Sequence, residues 1–166
     1  TIVPFGGVND ILYTAAGVTT QSIDGETWAT GSGTKGWSLN FTTTGYGTLK
    51  LSFAQMSNNA TSPRDFKIQY SLNGTSWTDL GVNIVLVEDV WYTLNDIALP
   101  AACENQANVY LRWLMNSNTG CGGAAVSSLQ TIRRNALDNV KVTGYPIVSP
   151  PVADFNANDT DICAGQ

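Results

Sequence analysis

Apolar and polar residues alternate along most of this chain. Trp37, Leu39 and Phe41 alternate with Ser38, Asn40 and Thr42, and Leu49, Leu51 and Phe53 alternate with Lys50, Ser52 and Ala54. Val109, Leu111, Trp113 and Met115 alternate with Tyr110, Arg112 and Leu114. A period of two marks strands with one buried face. Residues 84–87, 91–99 and 137–143 read as further strands, and residues 1–35 as irregular or edge strands. No window has helical periodicity with caps. Gly45-Tyr46-Gly47, Glu88-Asp89, the polar loop 57–63 and the long Gly/Ser/Asn-rich loop 116–135 punctuate the pattern. Many short strands separated by turns predict an all-β fold, a jelly-roll β-sandwich of two antiparallel sheets.

The sharpest local signal is K-I-Q-Y-S-L-N-G-T-S-W-T-D, residues 67–79. Asn73-Gly74 tolerates the two positive φ angles of a type I′ turn, the turn that suits two antiparallel strands. A two-residue turn closed by Leu72 and Thr75 sets Tyr70 opposite Trp77, with Phe66 and Ile68 on the same, buried face. Lys67, Gln69, Ser71 and Thr78 then point outward. Trp37, Trp77 and Trp113 are in phase with apolar neighbours and are assigned to the core.

The chain has 166 residues, 43% hydrophobic and 13% charged, with a net charge of −5. That suits one domain with a short tail. Low charge with abundant Ser, Thr, Asn and Gly is the profile of an extracellular β-protein. Five Trp, six Tyr and five Phe exclude a solvated coil. An acidic chain without a Lys/Arg cluster lacks the footprint for nucleic acid. The apolar run 84–87 is too short to span a membrane. The chain opens directly in strand- or turn-like sequence, without a signal peptide, as a mature or trimmed chain does.

Histidine is absent. That removes Ser-His-Asp and Cys-His catalysis and His-based zinc sites. No G-x-S-x-G elbow occurs. Residues 31–36, G-S-G-T-K-G, lack the G-K-[ST] order of a phosphate loop and read as a turn. The acid pairs Asp24/Glu26 and Glu88/Asp89 sit in expected turns and read as solvated. The domain is therefore expected not to be an enzyme. The N-x-[ST] matches at Asn40, Asn59, Asn73 and Asn158 are what such a composition yields by chance.

Domain boundaries follow from composition. Residues 1–144 form the sandwich module and 145–151 a Pro-rich linker. Residues 152–166 are too few to bury a core and read as the opening strand of a second domain. Cys103 and Cys121 flank the strand Val109–Met115. They are either a disulfide that closes a loop around it or two unpaired buried thiols; the extracellular profile favours the bridge.

Residues 150–166, P-P-V-A-D-F-N-A-N-D-T-D-I-C-A-G-Q, resemble the start of a PKD-type immunoglobulin-like domain. That resemblance implies a partner for Cys163 further along such a domain. F-T-T-T-G-Y-G-T-L-K-L-S-F (41–53), S-P-R-D-F-K-I-Q-Y-S-L-N-G-T-S-W-T-D (62–79), N-V-Y-L-R-W (108–113) and L-D-N-V-K-V-T-G (137–144) resemble a jelly-roll module of secreted multidomain bacterial proteins. It is similar in architecture to carbohydrate-binding modules and MAM-type domains. The resemblance implies a secreted or cell-surface setting beside hydrolases and PKD repeats. Cys121-Gly122-Gly123 departs from that pattern and puts the shape of its loop in question.

Sugar binding requires a planar ring against the C–H face of a sugar and convergent polar groups for its hydroxyls. Trp91 and Tyr92 are strand neighbours, so one of them must leave the core. Tyr110 and Arg112 oppose Leu111 and Trp113, on a face that Lys67 and Gln69 can share. Arg64, Asn116, Arg133 and Arg134 belong to the two polar loops. The expected ligand is a polysaccharide or surface glycan, and the alternative is a structural or adhesive spacer without a sugar ligand. Asp24, Glu26 and Asp138 are candidate ligands for a structural Ca2+, which takes six to eight oxygens. Asp138 is equally suited to a turn at a strand start.

Overall fold

The computed structural model describes residues 1–19, 21–128 and 134–148. In chain order the strands are β1 (Ile2–Phe5), β2 (Asn9–Ala16), β3 (Gln21–Glu26), β4 (Gly36–Phe41), β5 (Tyr46–Ser57), β6 (Asp65–Ser71), β7 (Thr78–Val85), β8 (Tyr92–Ala98), β9 (Val109–Met115) and β10 (Asn135–Pro146). One sheet has the order β1-β4-β9-β6-β7 and the other β2-β3-β10-β5-β8, with every neighbouring pair antiparallel. This is the jelly-roll β-sandwich of two antiparallel sheets that the alternation predicts. A single 3-10 turn, Ala101–Cys103, is the one helical element among the described residues. Among those residues no helix is long and apolar enough to cross a membrane.

The inner faces meet through large side chains. Trp37, Trp113, Phe53, Phe66, Leu51, Ile68 and Leu111 are fully buried. Trp28 packs edge-on against Phe66, and Phe53 edge-on against Trp113, at centroid separations of 5.7 and 5.3 Å. These are favoured ring geometries. Asn135 is the polar hub of this interior. Its Oδ1 accepts from Trp37 Nε1 at 2.8 Å and from Gln55 Nε2 at 2.9 Å, and its Nδ2 donates to Met56 O. The buried amide is thereby satisfied, as burial demands.

The segment 67–79 departs from expectation by one residue. Tyr70 pairs with Thr78 and Gln69 with Asp79, so the connection between β6 and β7 is longer than a two-residue turn. Gly74 has φ +74°, but Asn73 is not in the positive region. Type I′ needs both. The Asn73 side chain builds the turn instead. Its Oδ1 accepts from the main-chain N–H of Thr75 and of Ser76, each at 2.9 Å. A one-residue slip sends a side chain through to the other face of a sheet. Trp77 therefore leaves the core and stands half-buried on the outer face.

Three further expectations change. The strands expected at the end of the 67–79 hairpin and at residues 84–87 are one strand, β7. It bends where Gly81 takes φ +73° and the register shifts. The last strand continues past residue 144, since Tyr145 and Pro146 pair with Gly47 and Tyr46 rather than opening a linker. Cys103 and Cys121 are free thiols. Cys103 lies beside Thr43 at the Phe41 end of β4, whereas Cys121 bonds to Ser62 ahead of β6. Phe41 pairs with one end of β9 and Phe66 with the other. Seven residues of strand, about 20 Å, intervene. A disulfide needs Cα atoms within about 7 Å. Burial pushes both thiols up to about 11. The residues assigned to the PKD-type start, with Cys163 and the linker from 149 onward, lie outside the described residues.

Candidate functional site

The outer face of the first sheet gathers the aromatic and polar groups. Residues paired across neighbouring strands project to the same side. Ser38, Arg112, Gln69 and Asp79 form one such row across β4, β9, β6 and β7. Gly36, Leu114, Lys67 and Asn83 form the next, and Asn40, Tyr110 and Ser71 the row on the other side. Trp37, Trp113 and Ile68 point inward from the same strands. Of the expected binding residues, Tyr110, Arg112, Lys67 and Gln69 are thus brought onto one face.

Arg112 is the centre of that face. Its Nε donates to Gln69 Oε1 at 2.7 Å. Its guanidinium lies 4.1 Å from the centroid of the Trp77 ring and 6.0 Å from that of Phe5. A cation over an aromatic face is attracted by the ring's negative quadrupole. Partial burial disfavours the charged guanidinium, and nearby Asp79 offsets part of that cost. Gln69 Nε2 donates to Asp79 Oδ1, and Lys67 Nζ lies 3.2 Å from Asp79 Oδ2. The Gln69 bond, helped by Lys67, holds the Asp79 carboxyl below its ordinary value.

One glycine makes room for a ring. A Cβ on Gly36 would come within 2.8 Å of the Phe5 ring and 2.1 Å of the Trp113 carbonyl oxygen. A bare backbone there lets Phe5 settle over β4. The Tyr110 ring lies in ordinary contact distance, 3.5 Å, of the Cβ position of Gly74, where the positive φ and not space favours glycine. Phe5 falls in a stretch of the sequence without sustained alternation. The Val3/Phe5 spacing was its only signal. Trp77 is conspicuous in the sequence, but a two-residue turn assigns it to the core and the longer turn puts it on this face.

The other expected binding residues lie elsewhere. Trp91 precedes β8, at the edge of the second sheet, and Tyr92 packs partly buried against the core. Loops 57–64 and 116–127 do meet at one end of the sandwich: Gly120 bridges to Pro63, and Gly122 N donates to Ala60 O at 2.6 Å. Their polar groups largely hold each other. Arg64 grips Asp65 bidentately at 2.9 and 3.0 Å, and the Ser117 hydroxyl donates to the same carboxylate. Burial alone would raise the Asp65 carboxyl, but the Arg64 and Ser117 bonds hold it below its usual range. The Asn116 N–H donates to Asp65 O, and Arg134 is tied through its main chain to Asn58. Arg133 lies outside the described residues.

Of the candidate calcium ligands, Asp24 of β3 and Asp138 of β10 lie on neighbouring strands. Among the described residues no group of three His, Cys, Asp or Glu is placed to hold a metal. Asp138 accepts from Val18 N at 2.6 Å and Asn139 N at 2.7 Å, fixing the turn before β3. Asp24 is buried, accepts from Ser22 Oγ, and is raised by that burial. Glu26 ends β3.

A cavity of about 540 Å³ opens between the sheets at the Phe41 end, lined by Leu39, Phe41, Tyr46, Leu49 and Val142 with three threonines. No charged or amide side chain lines it, so it offers less to a polyhydroxylated ligand than the outer face does.

No family model and no curated protein matches the chain. Solved structures do. The CBM22-1 xylan-binding domain from Paenibacillus barcinonensis Xyn10C matches 89% of this chain and 87% of its own, at 14% identity and a TM-score of 0.58. The CBM22-1-CBM22-2 tandem domain of the same protein matches 93% of this chain and 43% of its own, at 13% identity and a TM-score of 0.59. The N-terminal cellulose-binding domain of Cellulomonas fimi β-1,4-glucanase C matches 89% and 90%, at 15% identity and a TM-score of 0.50. At these identities the likeness establishes the fold.

Proposed function

We propose that this domain is a non-catalytic carbohydrate-binding module that docks a secreted or cell-surface protein on polysaccharide. The observation that carries the reading is the outer face of the first sheet, where Trp77 and Phe5 flank Arg112 and where Tyr110, Gln69 and Lys67 share the same side. Rings offer a flat apolar surface to a sugar, and the amide and cations offer donors to its hydroxyls. The fold is one in which solved neighbours are described as xylan- and cellulose-binding domains, which supports the reading without supplying the sugar. Docking of this kind raises the local concentration of whatever domain is attached.

Affinity electrophoresis on a broad panel of plant, algal and bacterial glycans tests this. At least one polymer should retard the wild-type domain. Trp77→Ala and Tyr110→Ala should each weaken that retardation while the β-sheet circular dichroism is kept. No retardation on any polymer would leave the structural spacer as the better account.

A further inference from the structure

We infer that the ligand of this face carries carboxylates: it is a uronic-acid-bearing polysaccharide. This rests on the carbohydrate-binding reading above and narrows it. The ionic groups of the face are Arg112, Lys67 and Asp79, with Arg64 and Asp65 further along toward the loops. Asp65 is matched by Arg64 and Asp79 by Lys67. Arg112 has no carboxylate in ion-pair contact among the described residues; Asp79, joined to it only through Gln69, offsets part of its burial cost without bonding to it. The Arg112 Nε is taken by Gln69, and among the described residues neither terminal Nη has a hydrogen-bond acceptor. The guanidinium is also held still, with Trp77 at 4.1 Å beside its plane.

A glycan lying across these rings covers Arg112. Covering an unpaired cation with a neutral sugar strips it of water and returns only weak hydrogen bonds, which is costly. A carboxylate supplies the missing partner. The guanidinium fork matches the two carboxylate oxygens with two parallel N–H···O bonds. The chain as a whole is acidic, at −5, so long-range attraction does not explain a preference for acidic polymer. The selectivity must come from this one cation at short range.

The test compares wild-type binding to polygalacturonate and to glucuronic-acid-substituted xylan, each against its carboxyl-reduced form. Binding to at least one acidic form should be about tenfold tighter than to its reduced form, the worth of one charge-assisted hydrogen bond. The preference should shrink as salt rises. Arg112→Gln, checked for an unchanged melting transition, should bind the acidic and reduced forms alike. Equal wild-type binding to acidic and reduced polymers overturns the inference and leaves the carbohydrate-binding reading intact. Binding confined to dextran sulfate overturns it in favour of a sulfate ligand. Binding to none of these polymers overturns the inference, and the carbohydrate-binding reading falls with it only if the broad glycan panel also shows no retardation. The comparison of acidic with reduced polymer needs no variant, so a misfolded Arg112→Gln does not shelter the inference.

Discussion

On the outer face of the first sheet, rings from two stretches of chain meet one guanidinium, Phe5 from β1 and Trp77 from the turn before β7, and Tyr110 of β9 lies on the same face. On the second sheet the outward positions of β5 and β10 hold Lys50, Ser52, Ala54, Lys141 and Thr143. Its exposed rings, Tyr46 and Tyr145, stand at the strand tips, and no ring–cation stack occurs there among the described residues. Both sheets solve the folding problem alike, with large apolar side chains turned inward. Among the described residues only the first sheet stacks its outer rings on a cation. Small and charged residues suffice to solvate an outer face. The proposed glycan-binding reading rests on those outer rings, since apolar surface left outside the core is where a ligand can be covered.

The largest expected effect belongs to neither outer face. Trp113→Ala, beneath Arg112 but fully buried, should cost about 4 kcal/mol of stability in urea denaturation. Trp77→Ala should lose under about 1 kcal/mol of stability, in keeping with a half-exposed ring, yet weaken glycan binding roughly fivefold. Equal losses of stability in the two variants would erase the distinction between inner and outer rings.

The acids sharpen the comparison through pH. Asp79, on the ringed face, has a depressed folded pKa. Its contribution is present above the unfolded value near 3.8 and is lost as pH falls through the lower folded value. It is half exposed, so Asp79→Asn should cost only a few tenths of a kcal/mol at pH 7, a cost that vanishes once the pH has fallen through the lowered folded value. Asp24, in the second sheet, has a raised folded pKa from burial. Stability linked to it falls as pH rises from 3.8 through that raised value. Asp24→Asn should thus be more stable than wild type at pH 7 and no more stable at pH 3, by denaturation at each pH. Smallest of all, Lys141→Ala should change stability by under about 0.5 kcal/mol and leave glycan retention as it was. Loss of retention in that variant would move the site to the wrong sheet.

The core was legible because burial repeats every second residue. Trp37, Leu51, Phe53, Leu111 and Trp113 all lie where their apolar phase puts them. Phase also separated Tyr110 and Arg112 from Leu111 and Trp113. What phase cannot supply is the length of a turn. Asn73-Gly74 suggested the shortest hairpin, while the Asn73 side chain supports a longer one, and Trp77 changed sides. The cysteines failed for a related reason. Proximity to the same strand in sequence says nothing about lying at the same end of it. The long loops looked like a free polar rim, but pairs such as Arg64–Asp65 are spent on each other, and sequence alone does not show which donors are already engaged.

The bend in β7 has an arithmetic of its own. Lys67 and Gln69 are two positions apart, whereas their partners Asn83 and Asp79 are four apart. The surplus is even, so Asp79 and Asn83 still look outward while Leu80 and Val82 look in. Removing Gly81 alone would make the surplus odd, turning either Asp79 and Trp77 toward the interior or Ile84 toward water. Excising Gly81 together with Val82 would straighten the strand and keep every orientation. Parity, more than length, is what this edge strand conserves, and a pair of deletions differing by one residue would reveal it.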